Sequence, residues 1–317
     1  VKKIEKIKNV LNSKVVKVFV SFILLLYLFS QINFSLIIRS LKDANWVYFF
    51  LAFLIMPFSI LIRSFNWGLI LNRSGKKLSL KQLCFLNLLG ISANLFLPAQ
   101  SGELVKVYYG YRLHGLKEEI ISSTLLDKLT SLIAVFLMGA VFSSLWGFKI
   151  LPPTFFLIAF CLVVLLFIPR LLHLVNLMRL PANLQKWLDG KELINFSVLP
   201  LKLIFVVLFI SFLGWLLSYL QLFLFCLTFK AHIDFSYLIA ILPAVIAARL
   251  VPFVLSGFGT GEAAFVYFFG LVNTPPNIAL LVSLTARIVS SVIPGVAGLI
   301  IFYSVGGSKQ ILKADVS

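Results

Sequence analysis

The sequence predicts an all-α polytopic membrane protein: about six full transmembrane helices plus two re-entrant helix hairpins, related as an inverted-topology repeat. Three observations predict it. First, 61% of the 317 residues are hydrophobic and only 12% charged, with continuous apolar runs at 15–32, 46–62, 155–168 and 203–229. Those runs approach or exceed the roughly 20 residues a helix needs to cross a bilayer, and they do not alternate as barrel strands do. Second, 28 Lys and Arg stand against 11 Asp and Glu. In such a chain the excess reports topology rather than nucleic acid, because basic residues stay on the cytoplasmic side; a secondary effect is attraction to anionic headgroups there. Third, two Pro/Gly-rich breaks carry charges at apolar depth: PAQSGE at 98–103 and SGFGTGE at 256–262. The absence of any sizeable soluble domain sets aside most enzyme classes, and residues 1–317 read as one integral membrane domain.

The elements follow in order from the charge map. The N-terminal VKKIEKIKNVLNSKVVK precedes an apolar run without a small-residue cleavage site, so an uncleaved first span is expected at 17–37. Its lysines place the N-terminus inside. A second span at 46–71 brings the chain back to Arg73, Lys76, Lys77 and Lys81. Segment 82–114 is broken at Pro98–Gly102 and then meets Lys106, Arg112 and Lys117, so both its ends read as cytoplasmic and it is expected to be a re-entrant hairpin. Spans at 120–147 and 153–176 lead to Arg170, Arg179, Lys186 and Lys191, again inside. The span 200–228 exits to the sparsely charged Lys230, His232 and Asp234. Segment 236–273 ends in the uncharged VNTPPN, so it reads as a second hairpin, entered from outside. The last span, 278–304, returns Lys309 and Lys313 to the cytoplasm. The alternative is that one or both hairpins cross fully. Cys84, Cys161 and Cys226 lie far apart in apolar runs and are expected to pack rather than to bond.

The breaks reveal a duplication. Aligning Gly102-Glu103 with Gly261-Glu262 gives an offset of 159 residues, and without a gap Tyr108 falls on Tyr267, Lys128 on Arg287, Ser131 on Ser290 and Gly139 on Gly298. In both copies a basic residue follows the glutamate by 25 positions, deep in an apolar helix. The repeats are therefore expected at 82–147 and 236–304, with opposite orientations, a recurrent plan of secondary transporters. Broken helices at membrane depth are tolerated only where they are buried in protein or line a cavity.

Arg63, Glu103, Asp127, Lys128, Arg249, Glu262 and Arg287 fall within or beside apolar segments. Each charge at the bilayer centre costs roughly 2.5–3.5 kcal/mol on insertion scales, so all seven are expected to face the bundle interior. Helical spacing agrees: Ser59, Arg63 and Asn66 share a face, as do Thr124, Lys128 and Ser131, and Ser283, Arg287 and Ser290, with Pro294 one turn on. Ser101 and Thr260 are placed as N-caps of the helices after the breaks. Helix N-termini attract anions, and two of them converging with Lys128, Arg249 and Arg287 would make a phosphate or carboxylate site, for which Arg is suited by its planar fork.

The candidate substrate-binding residues of the first half are thus Arg63, Asn94, Ser101, Gly102, Glu103 and Lys128. Those of the second are Arg249, Ser256, Gly257, Gly259, Gly261, Glu262 and Arg287. Two other readings stand beside this one. The pairs Glu103–Lys128 and Glu262–Arg287 can be structural ion pairs that hold each hairpin to its helix, or a glutamate can carry a coupling proton. GFGTG at 257–261 lacks the preceding soluble strand of a nucleotide loop. His114, His173 and His232 have no metal-ligand spacing. Neither a metal nor a cofactor is expected. Tyr108, Tyr109 and Tyr111 are expected at a membrane interface.

At NLFLPAQSGELVKVYY with the following STLLDKL, and at SGFGTGEAAFVYFFG with the following AR and PGVAG, the sequence resembles the lysylphosphatidylglycerol synthase transmembrane-region family of flippase-like membrane proteins. The resemblance covers nearly the whole chain. In multidomain relatives this region precedes a soluble aminoacyl-transferase domain and is thought to move aminoacylated phosphatidylglycerol to the outer leaflet. This chain reads as a stand-alone member without that domain, so the resemblance implies lipid translocation but not lysyl transfer. It points to Glu103, Lys128, Glu262 and Arg287. It leaves open phospholipids, polyprenyl-phosphate-linked sugars and hopanoids.

The expected function is translocation of an anionic or phosphate-bearing lipid across the cytoplasmic membrane, with both termini cytoplasmic and no enzymatic activity. Its expected partners are membrane lipids and a lipid-synthesising enzyme, not nucleic acid. The alternatives are a non-transporting subunit that presents lipid to a synthase, and a membrane-embedded enzyme using Glu103 or Glu262 as acid or base.

Overall fold

The computed structural model describes residues 34–74, 77–97, 101–115, 117–147, 152, 155, 200–249 and 259–304. Among them there is no strand, and ten α-helices follow one another. They are α1 (Phe34–Lys42), α2 (Trp46–Leu71), α3 (Leu80–Asn94), α4 (Glu103–His114), α5 (Lys117–Leu145), α6 (Leu201–Thr228), α7 (Phe235–Arg249), α8 (Thr260–Gly270), α9 (Pro276–Arg287) and α10 (Ile293–Ser304). A 3₁₀ turn (Asn72–Ser74) closes α2, and a π turn (Ile288–Val292) joins α9 to α10.

Four segments are long and apolar enough to cross a membrane: Trp46–Leu71, Glu119–Leu145, Lys202–Thr228 and Pro276–Ser304. They coincide with the spans expected at 46–71, 120–147, 200–228 and 278–304. The span expected at 153–176 lies outside the described residues apart from Phe155. So does that at 17–37, apart from 34–37, which open α1. The outward faces are apolar. Phe50, Leu54, Phe58, Leu61 and Phe65 of α2 are exposed at spacings of three and four, as are Phe205, Phe209, Leu213, Leu216 and Leu220 of α6. An apolar surface of this extent marks contact with lipid rather than water.

Local chemistry sets the helix ends. Asn45 caps α2, its side chain accepting from Val47 N at 3.2 Å. Ser79 and Gln82 form a reciprocal capping box at the start of α3. The helices on either side of the two breaks are short: α3 and α4 have 15 and 12 residues, α7 and α8 have 15 and 11. At 1.5 Å per residue each is about 16–23 Å long, less than the ~30 Å hydrocarbon thickness.

Packing between the halves is reciprocal. Helix α3 packs on α10, α7 packs on α5, and α2 packs on α6. The α3–α10 joint is made by small residues: Ser92 Oγ donates to Gly295 O at 2.6 Å, and a Cβ at Gly298 would collide with Ser92 Oγ and with the Leu88 carbonyl. At the α2–α6 joint, Gln221 Nε2 donates to Ala52 O at 2.9 Å. The α5–α7 joint is closed by Trp146, which donates to Ser236 Oγ at 3.3 Å. The largest apolar cluster centres on α6, α7 and α8, with Tyr219, Phe225, Tyr237, Leu238, Phe265 and Phe269 buried. Cys226 is buried within it; Cys226 and Cys84 are both free thiols, and Cys161 lies outside the described residues.

The small-residue joint makes a direct prediction. Gly298→Val forces its side chain into the α3 backbone and should destabilise by about 1–3 kcal/mol, lowering the detergent-solubilised melting temperature. Gly270→Ala, where a Cβ meets nothing within 4 Å, should leave that temperature within about a degree.

Candidate functional site

The first cluster starts from a close approach of two backbones. Gly102 N–H donates to Asn94 Oδ1 at 2.6 Å, and a Cβ on Gly102 would collide with the Gly90 carbonyl and the Asn94 side chain. With glycine there, α4 begins hard against α3, and Glu103 in its first turn is aimed at α5. Glu103 Oε1 lies 2.8 Å from Lys128 Nζ, and Oε2 lies 3.3 Å from Lys106 Nζ, one turn further along α4. Lys106 is 1% exposed, and its ammonium sits 3.8 Å from the centre of the Trp67 ring. Trp67 is itself fixed by its Nε1–H donating to Ser123 Oγ at 3.1 Å. A desolvated lysine between a carboxylate and an indole face is held by charge and by the ring quadrupole together.

Around this core lie Asp127 and Arg63. Asn66 Nδ2 donates to Asp127 Oδ1 at 3.2 Å and to Ser211 Oγ at 3.0 Å. Arg63 donates to Ser218 Oγ at 2.9 Å and lies over the Trp215 ring at 5.4 Å. Arg63, Glu103, Lys106 and Lys128 all lie within electrostatic reach of Asp127. Arg63 is exposed and the Lys128 side chain is 44% accessible, so this cluster presents cations to an open side.

In the second cluster the ion pair is sealed. Gly259 has φ +93°, a conformation other residues rarely adopt. Its N–H donates to Glu262 Oε2 at 2.7 Å, and Glu262 Oε1 lies 2.6 Å from Arg287 Nε. Glu262 has no exposed surface and Arg287 is 6% exposed. Arg249, at the end of α7, lies against Gly261: a Cβ there would be 2.7 Å from Arg249 Nε and 3.1 Å from Arg287 Nη2. Its guanidinium is 5.6 Å from the Phe265 ring centre. Arg249 Nε is buried without a hydrogen-bond partner. The π turn follows Arg287 at once, and within it Ser290 Oγ donates to Gln221 Oε1 at 2.9 Å.

The structure makes both ion pairs that the spacing suggests, Glu103–Lys128 and Glu262–Arg287. It distributes the sequence-derived residues over two clusters. Arg63, Asn94, Gly102, Glu103 and Lys128 belong to the first; Arg249, Gly259, Gly261, Glu262 and Arg287 belong to the second. Ser101 lies in the turn before α4, while Ser256 and Gly257 lie outside the described residues.

Three expectations are corrected. Ser101 and Thr260 are not the N-caps: Gly102 and Gly259 are, and side chains from elsewhere satisfy them, Asn94 in one case and Glu262 in the other. Lys106, read from sequence as a cytoplasmic marker, is buried in the first cluster because Glu103 lies three residues before it on the same helical face. Arg63 and Lys128 do not withdraw wholly into the interior but keep accessible surface. Trp67, Trp215 and Ser218 carried no signal in the linear pattern, since they come from α2 and α6 and only packing brings them in.

The profile of the lysylphosphatidylglycerol synthase TM region family matches residues 14–298. The chain belongs to that family. Two relatives are a UPF0104 membrane protein of Methanocaldococcus jannaschii, 24% identical over 307 residues that cover 89% of this chain and 91% of the relative, and a UPF0104 membrane protein of Methanothermobacter thermautotrophicus, 25% identical over 299 residues that cover 85% and 87%. The family assignment agrees with the resemblance carried by the two Gly-Glu motifs, and the chain is a membrane protein.

The contrast in burial predicts unequal consequences of losing a charge. Glu262→Gln leaves the buried Arg287 and the half-buried Arg249 facing a neutral amide and should cost about 3–5 kcal/mol, read as a large drop in melting temperature. Lys128→Met, at an accessible position, should leave the melting temperature nearly unchanged.

Proposed function

We propose that this member of the family translocates a phosphate-bearing lipid across the cytoplasmic membrane, its headgroup handed between the two charged clusters. The duplicated cluster carries the reading. Each is built from a glutamate in the first turn of a short helix, paired with a cation 25 positions on in a long apolar segment. The physical logic is an exchange of partners. A bare charge at membrane depth is costly, but an anionic headgroup can replace a carboxylate against Lys128 or Arg287 while the displaced glutamate keeps a second cation beside it, Lys106 or Arg249. Because both glutamates already engage cations, binding and release suit them better than acid–base chemistry. In this reading the chain is not an enzyme, and its partners are membrane lipids and the enzyme that supplies them.

The reciprocal packing supports an inverted repeat over 82–147 and 236–304. The first helix of each break-containing segment, α3 or α7, packs on the last long segment of the other half, α10 or α5. The short helices on either side of the breaks support re-entrant hairpins, entered from opposite faces, with both termini cytoplasmic.

Two experiments test these statements. In a cysteine-free background, single cysteines at Lys77 and Gly115 should both react with an impermeant maleimide from the cytoplasmic side, and those at Lys230 and Asn273 from the opposite side. Labelling of either pair from opposite faces would mean that the segment between them crosses. In proteoliposomes, leaflet exchange of a labelled anionic phospholipid should fall at least about tenfold in Lys128→Met and in the charge-removing double variant Glu262→Gln/Arg287→Met. Normal exchange in both would place the path elsewhere.

A further inference from the structure

We propose that the headgroup is a phosphodiester carrying one negative charge, and that Arg249 is its ligand in the second half. This rests on the translocator reading and narrows it to a substrate class. The starting point is a deficit. Glu262 engages Gly259 N–H with one oxygen and Arg287 with the other, and among the described residues it makes no ion pair with Arg249. Arg249 beside it has a buried Nε with no acceptor; its guanidinium lies over the face of Phe265 and shares the field of Glu262 with Arg287. A half-buried guanidinium whose Nε has no acceptor, and whose neighbouring acid is already paired with another arginine, is under-compensated, which costs the fold. It persists where a ligand supplies the anion.

Charge arithmetic says which anion. The second cluster holds Arg249 and Arg287 against Glu262, two cations to one acid. The first holds Arg63, Lys106 and Lys128 against Glu103 and Asp127, three to two. Among the described residues each cluster thus carries one cation in excess. One singly charged anion neutralises either cluster. A doubly charged one would leave a net negative charge in a low-dielectric setting, which is unfavourable. An equal excess in both halves is also what passing one substrate between them needs. A phosphodiester carries one charge, whereas a phosphomonoester approaches two near neutral pH and a diphosphate exceeds one. The two non-bridging oxygens of a diester match the planar donor fork of arginine. Glycerophospholipids and isoprenoid-linked sugar phosphates share this chemistry.

The test uses the full chain in detergent, titrated by calorimetry with four ligands. Two are diesters: short-chain phosphatidylglycerol and a short polyprenyl-phosphate hexose. Two are not: short-chain phosphatidic acid and the matching polyprenyl diphosphate. At least one diester should bind about tenfold or more tightly than its non-diester counterpart, and which one identifies the source. Arg249→Met should weaken that binding about ten- to hundredfold, while the unliganded melting temperature holds or rises, because the cation in excess has gone. Arg249→Lys, with charge but no fork, should fall between. Three results would overturn the proposal: equal or tighter binding of the monoester or diphosphate, no binding of either diester, or a lower unliganded melting temperature for Arg249→Met with binding retained. Diester binding that depends on Arg249 without any leaflet exchange would keep the site and sink the transport reading. Undiminished exchange in Arg249→Met would sink the site and keep transport.

Discussion

The break, the glycines and the buried acid of the second half follow from one contact, Glu262 against Arg287. An ion pair with no access to water holds only if its geometry is close and its remaining lone pairs are satisfied. The close geometry, 2.6 Å, requires α8 to begin beside Arg287, near the middle of the apolar segment Pro276–Ser304, and hence requires a break in the chain there. The remaining carboxylate oxygen is satisfied by the N–H of Gly259, which reaches it only with a positive φ. Gly261 must lack a side chain because two arginines occupy that space. The glycines, the short helix and the buried glutamate are therefore one device.

The first half solves the same problem with different parts. Its glutamate is divided between two lysines, one buried under an indole ring and one accessible. The backbone N–H at its cap is satisfied by an asparagine on the preceding helix, not by the glutamate itself. Glu103 is thereby released from capping and free to turn wholly toward cations. The halves share a plan yet differ in how tightly they are closed: a nearly inaccessible pair in one, a half-open pair in the other. In the translocator reading proposed above, that difference in access would correspond to opening toward one side at a time.

How far the sequence went depends on which forces write a linear pattern. Long apolar runs do, and four described spans stand where their boundaries predict. Charges at membrane depth do as well, because each is expensive; the partners Glu103–Lys128 and Glu262–Arg287 were legible from matched spacing alone. Capping was misread because a hydroxyl beside a break is the commonest cap, while here an asparagine eight residues earlier and a glutamate three residues later serve. Lys106 was misread because a lysine near a helix end usually marks the cytoplasm; nothing in the linear pattern shows that Trp67, 39 residues before it, closes over it. The aromatic and hydroxyl groups around Arg63 come from a helix some 150 positions away, beyond any local periodicity.

The π turn was also invisible in sequence, and it separates the halves further. Helix α5 runs unbroken through Lys128, whereas the segment that carries Arg287 widens immediately after it, at Ile288–Val292. Such turns insert a residue into a helix and loosen its ladder, often at functional positions. This one does not stand alone. Ser290 within it bonds Gln221 of α6, and Gln221 bonds the Ala52 carbonyl of α2. The widened turn therefore sits one residue from the sealed ion pair and is tied by two hydrogen bonds to α2, the helix that carries Arg63 and Asn66 of the open cluster. The irregular turn is thus the part of the segment nearest to Arg287, and the part with the weakest helical ladder. In the translocator reading proposed above, this chain of two bonds would give a rearrangement at Arg287 a physical path toward the opposite cluster.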